Sequence, residues 1–138
     1  MRGLILMIGD DFEEQGMLRA RLNSIGFNVI WVHAATILGN QWVKTSQFEG
    51  IILNFDMHDH NGMAVLESLH KLSGETPVIV MSCLSTRERL EETLRKGARD
   101  YISLPEDIDL LREKCLRHFQ PRDTTIPYLR SHQGEVQQ

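Results

Sequence analysis

Short apolar runs, separated by stretches with helical spacing, set the pattern of this chain. Leu4 to Ile8 is fully apolar and is broken by Gly9-Asp10-Asp11. Asn28–Val32, Gly50–Leu53, Pro77–Met81 and Asp100–Leu104 read as four further strands. A strand with one wet face alternates apolar and polar residues, whereas a continuous apolar run marks a strand covered on both faces. Between the runs, Leu18, Leu22 and Ile25 recur at helical spacing before Gly26, and Val65, Leu69 and Leu72 do so before Ser73-Gly74-Glu75. Leu90 and Leu94 precede Gly97, and Ile108, Leu111 and Cys115 mark one face of a last helix from about Asp107 to Phe119. Glu13 and Glu14 fall in the first turn of the first helix, where carboxylates favour the positive end of the dipole. Ser85-Thr86-Arg87-Glu88 has the form of a capping box. From Ala34 to Phe48 the pattern is ambiguous, because Gly39-Asn40 interrupts the helical face of Ile37, Leu38, Trp42 and Val43.

Strands and helices in strict alternation imply an α/β fold with a parallel sheet covered by helices on both faces. In such a sheet ligands gather just past the carboxyl ends of the strands. The residues expected there are Asp10 and Asp11, Asn54, Ser82 and Leu104. The stretch from Gly50 to Gly62 is the centre of the pattern: a buried strand, a polar loop that begins at Asn54, then a helix. Past Pro121 no period continues. Residues 1–119 are read as one domain and 120–138 as a polar linker or tail, which would carry an output domain after Gln120 if the chain is a fragment.

Composition narrows the function. A net charge of −4 argues against a general phosphate-binding surface, so no nucleic-acid binding is expected. Cys83 and Cys115, the only cysteines, show no metal or disulfide spacing. No apolar run approaches the roughly 18 residues of a membrane span. Because the first strand follows Met1-Arg2-Gly3 directly, no leader is expected and a cytoplasmic location is the default.

The Asp10-Asp11 pair, the Gly50–Gly62 loop, the strand Thr76–Ser82 and the run Gly97-Ala98-Arg99-Asp100-Tyr101-Ile102-Ser103-Leu104-Pro105 carry a resemblance. From Leu4 to Phe119 the chain resembles a response-regulator receiver domain, the CheY-like module of two-component signalling. The resemblance implies a flavodoxin-like (βα)5 fold with strand order 2-1-3-4-5. It also implies a chemistry. An aspartate at the end of the third strand accepts a phosphoryl group. Two acids after the first strand help it to hold Mg²⁺, and a Ser/Thr and a Lys contact the phosphate oxygens. In this sequence the acceptor position holds Asn54, the first acid position Gly9 and the lysine position Leu104. Asp10 fits the second acid, with Asp11 beside it. Ser82 keeps the hydroxyl position, and Tyr101 the aromatic position that swings inward on phosphorylation in family members. The spacing from Asn54 to Gly62 matches the family, so Asp56 does not slide into the acceptor place.

What this implies is an atypical receiver, or pseudo-receiver: not an enzyme, and needing no cofactor beyond a weak Mg²⁺ site for which Asp10, Asp11 and Asp56 are the candidates. It would act through protein contacts, by self-association or on an output such as a transcription regulator. The face formed by the fourth helix, fifth strand and fifth helix is the expected surface. Two alternatives stand beside it. One is a phosphorylatable receiver with a displaced acceptor at Asp56, Asp10 or Asp11; the other is a small-ligand or metal sensor in the degenerate pocket. Asn54 itself is either a mimic of a fixed signalling state or a polar residue left at a strand end. His58-Asp59-His60 has metal-ligand chemistry, but neighbours on a loop rarely all face one ion, so a plain polar loop is expected. Cys115 is expected as a small core filler, with Cys83 more exposed. Arg87, Arg89, Arg95 and Lys96, mixed with Glu88, Glu91 and Glu92, read as a solvated helix face.

Overall fold

Every strand of the sheet is parallel to its neighbours, which is why the strands read as apolar runs. The structure is a computed structural model that describes residues 3–10, 16–39, 47–57, 61–73, 75–84 and 86–119. β1 (Leu4–Gly9) pairs on one side with β2 (Asn28–His33) and on the other with β3 (Gly50–Asn54). β4 (Val78–Ser82) and β5 (Asp100–Ser103) extend the sheet to the order β2-β1-β3-β4-β5. The chain order therefore reverses between β1 and β3, the switch point where the loops at the carboxyl ends part and leave a crevice. The helices α1 (Gly16–Ile25), α2 (Ala34–Gly39), α3 (Gly62–Ser73), α4 (Arg87–Arg95) and α5 (Leu111–His118) alternate with the strands. Among the described residues no helix is long and apolar enough to cross a membrane.

Successive strand residues point to opposite faces and fill two cores. Leu6, Ile8, Ile51, Leu53, Val78 and Val80 meet Ala34 and Ile37 of α2 and Val65, Leu66 and Leu69 of α3. Ile5, Met7, Ile52, Ile79, Met81 and Ile102 meet Leu22 of α1 and Leu111 and Cys115 of α5. Phe119 closes the second core edge-on to Phe27, with ring centroids 6.4 Å apart. Its ring lies against the backbone of Gly50, where a Cβ would collide with it. The glycine that opens β3 is thus a packing requirement. Gly97, just past α4, takes φ +114°, a left-handed conformation that closes the helix without a Cβ penalty.

Several local expectations shift. The described part of α1 begins at Gly16, and Glu13 and Glu14 lie outside the described residues. α2 is a short helix that buries Ile37 but leaves Leu38 42% exposed; Trp42 and Val43 lie outside the described residues. The N-cap of α4 is Thr86, whose Oγ1 accepts the Arg89 N–H at 3.1 Å. That moves the third helical position to Arg89, so Glu88 is no box partner and Ser85 falls outside the description. On α4 the buried residue is Thr93 and not Leu94, because the Thr93 hydroxyl donates to the Leu90 carbonyl at 2.8 Å and enters the interior already satisfied. β5 stops at Ser103, and the last helix is a 3₁₀ turn, Ile108–Leu110, that runs into α5. Residues 120–138 lie outside the described residues.

Candidate functional site

The carboxyl ends of the strands place most of the expected residues on one edge. Gly9 ends β1 and Asp10 follows it, half-buried. Asn54 ends β3 and Ser82 ends β4. Asp11 and the His58-Asp59-His60 loop lie outside the described residues. Leu104 is half-buried and turns its aliphatic chain into the core on the α5 side, so the position that the resemblance gives to a lysine is filled by packing.

Asn54 folds back on its own loop. Its Oδ1 accepts the backbone N–H of Asp56 at 2.9 Å, an Asx turn that fixes the first residues after the strand. The ladder meanwhile runs one residue further, with the Phe55 N–H donating to the Met81 carbonyl at 2.8 Å. This fixes the start of the loop from both sides and aims the Asp56 side chain across to β4. Ser82 donates its hydroxyl to one carboxylate oxygen of Asp56 at 2.6 Å, and the Cys83 N–H donates to the other at 2.6 Å. The first length is that of a charge-assisted O–H···O⁻ hydrogen bond, and the second is short for an N–H donor. The Ser82 hydroxyl has one proton and gives it to Asp56, while its lone pair accepts the Leu84 N–H at 3.0 Å. Arg89 of α4 lies over the Phe55 ring, 5.3 Å from its centroid, and brings Nη1 to 3.4 Å from the Ser82 oxygen. Tyr101, 3% exposed, donates its hydroxyl to the Leu84 carbonyl at 3.2 Å.

Sequence reasoning had both halves of this network but not the link. Asp56 is expected only as a weak metal or acceptor candidate, yet its carboxylate ties the loop after β3 to two consecutive residues at the end of β4, 26 and 27 residues away in sequence. Arg89, expected on a solvated face, is instead half-buried against Phe55 and Ser82. The only sequence signal was position, an acid two residues past the end of a central strand. Cys83 is exposed as expected, and Cys115 is a core filler whose thiol is pushed up to about 12 by burial.

The Mg²⁺ that the resemblance implies has a poor donor set here. Gly9 brings no side-chain donor, Asn54 brings an amide oxygen already used in its turn, and Asp56 has both oxygens engaged. Among the described residues no group of three or more His, Cys, Asp or Glu is placed to hold a metal ion.

A second carboxylate sits at the opposite edge of the sheet. Asp100 opens β5 and takes the Tyr101 N–H at 2.7 Å, Lys114 Nζ at 3.1 Å and His118 Nε2 at 2.8 Å. Burial works against its charge, but the Tyr101 N–H, Lys114 and His118 together outweigh it and hold the carboxyl below the usual value. Lys114 also donates to the Tyr101 carbonyl at 2.7 Å, so α5 is tied to β5 by side chains from both of its last turns.

Comparison with known proteins matches this geometry to one family. The family model of the response regulator receiver domain matches residues 5–116. The transcriptional regulatory protein ZraR of Escherichia coli (strain K12) is 31% identical over 126 residues, covering 89% of this chain and 28% of ZraR. The transcriptional activator protein IrlR of Burkholderia pseudomallei (strain 1026b) is 30% identical over 125 residues, covering 88% of this chain and 54% of IrlR. The chain thus spans only part of the curated relatives it matches. Among solved structures, Vibrio cholerae chemotaxis protein CheY4 superposes with a TM-score of 0.71 at 17% identity, covering 86% of this chain and 99% of that one. At that identity the superposition speaks for the fold alone, a flavodoxin-like sheet in the same order.

Proposed function

The chain belongs to the response regulator receiver domain family, and on that premise we propose that it is an atypical receiver that signals through protein contacts without aspartyl phosphorylation. The observation that carries this reading is Asn54. It stands at the strand end where the family's chemistry needs a carboxylate, and its amide oxygen is committed to the Asp56 N–H. An amide is a far weaker nucleophile than a carboxylate and brings no charge to a metal. Gly9 and Leu104 support the same conclusion, since the first removes a metal acid and the second removes the cation that would meet a phosphoryl oxygen. The domain is then not an enzyme but a module whose surface is read by a partner.

Transcriptional control is the output that the relatives favour, because both ZraR and IrlR carry that description. The proposed contact surface is the face of α4, β5 and α5, where Leu94 of α4 stays 41% exposed on the helix that carries the charged pair Arg87–Glu91.

Intact mass after incubation with acetyl phosphate and Mg²⁺ tests the reading, alongside an Asn54→Asp variant. The native chain is expected to stay at its own mass. A phosphoryl mass on the native chain would overturn the proposal, and peptide mapping would then show whether Asp56, Asp10 or Asp11 serves as a displaced acceptor.

A further inference from the structure

Two donors on consecutive residues at the end of β4, the Ser82 hydroxyl and the Cys83 N–H, face a single carboxylate. Adjacent donors of this kind at a strand end form a seat for an oxyanion. Here the seat is filled from within the chain: the Asp56 carboxylate bridges it, one oxygen to each donor, and Arg89 stands beside the shared serine oxygen. Asn54 sets the reach of that carboxylate by holding the Asp56 N–H. From the seat a short chain of contacts leads outward. Ser82 takes the Leu84 N–H, the Leu84 carbonyl takes the Tyr101 hydroxyl, and the Tyr101 ring lies buried.

We propose that Asp56 is a resident anion that locks the loop between β4 and α4 and thereby the buried placement of Tyr101, so that the chain sets this surface without a delivered anion. The proposal deepens the functional reading above and rests on it. With no phosphoryl group at Asn54, the donors at Ser82 and Cys83 are open to another acceptor. In this fold the group that satisfies them is covalently part of the protein and permanently at hand. Asn54 is then a positioning residue, acting through Asp56.

The test uses the whole chain with neither phosphodonor nor metal. Asp56→Ala and Asp56→Asn are compared with the native protein by amide exchange at Cys83 and Leu84. Nitration of Tyr101 is read by peptide mapping, which separates it from Tyr128. Asp56→Ala is expected to speed exchange at Leu84 roughly three- to fivefold, as befits loss of a hydrogen-bond pair at a partly exposed site. Nitration of Tyr101 should rise with it. Asp56→Asn should move both readings the same way by less, because its amide still offers one acceptor but no charge. Inorganic phosphate should restore protection in Asp56→Ala by taking the vacated seat. The proposal is overturned if Tyr101 and Leu84 stay as protected in the variants as in the native chain, or if phosphate restores nothing. Should Asp56→Ala fail to fold, Asp56→Asn decides. A phosphoryl mass on the native chain would overturn the functional reading instead and would leave these exchange measurements unchanged, so the two failures are distinguishable.

Discussion

Asp56 and Asp100 are both half-buried carboxylates that accept several hydrogen bonds, but they stand at opposite edges of the sheet and hold different things. Asp56, past the carboxyl end of β3, binds neutral donors on a loop: a serine hydroxyl and a backbone N–H. Asp100, at the start of β5, binds one neutral donor and two side chains of a helix, Lys114 and His118. The first fixes the conformation of a connection, and the second anchors a secondary-structure element. The Asp100–Lys114 pair is also well covered, with side chains 22% and 18% exposed. In contrast, Arg87–Glu91 on α4 is 88% and 53% exposed and contributes little. A carboxylate that anchors a helix should therefore be felt in global stability, and one that sets a loop should be felt locally.

The largest expected effect is that of Asp100→Ala. It takes the acceptor from the Tyr101 N–H and from His118 Nε2 and leaves Lys114 Nζ only the Tyr101 carbonyl, and urea unfolding should show a loss of about 1–3 kcal/mol, reduced by salt. Asp56→Ala should cost about 1 kcal/mol or less by the same measurement, because the loop opens without α5 leaving the sheet. If the two variants cost the same, the contrast between anchor and loop-setter fails.

Acid tests the anchor on its own. The folded carboxyl of Asp100 is held below the ordinary value of 3.8. A group lowered on folding adds stability that is fully present above its unfolded value and is lost as pH falls through the folded one. Stability of the native chain should thus decline as the pH drops below about 4, and Asp100→Asn should lack this component of the decline. Thermal melts from neutral pH down into that range check it; parallel slopes for the two proteins would mean that Lys114 and His118 do not stabilise the charge.

The difference between these two carboxylates also marks where the sequence was legible. Strands buried on both faces announce themselves as apolar runs, and Gly26 and Gly97 punctuate the helices, so the strand order and both cores followed from pattern and resemblance. Thr93 was not legible as a core residue, because what makes its burial tolerable is a hydrogen bond to Leu90 that periodicity does not register. The site was half legible. Asn54, Ser82, Tyr101 and Leu104 were placed by position relative to strand ends, and the structure puts the first two at such ends, Tyr101 within β5 and Leu104 one residue past it. The bridge from Asp56 to Ser82 and Cys83 joins separate loops, and an acid in a loop looks the same in sequence whether it faces water or a serine. The anchor at Asp100 was missed for a related reason. Lys114 and His118 look like surface residues until α5 is laid against β5.

Tyr101 touches both systems: its N–H goes to Asp100, its carbonyl takes Lys114 and its hydroxyl reaches Leu84. Tyr101→Phe removes the last of these alone and should give the smallest effect, about 0.5–1 kcal/mol in urea. Its value lies in a double-mutant cycle. If the hydroxyl contact depends on the loop that Asp56 holds, Asp56→Asn and Tyr101→Phe should be less costly together than the sum of each alone. Combined with Asp100→Asn, which acts through the backbone at the other end of the residue, Tyr101→Phe should be additive within about 0.5 kcal/mol. The opposite result, coupling to Asp100 and additivity with Asp56, would mean that the hydroxyl follows the placement of β5 on α5, and the loop would then have no hold on Tyr101.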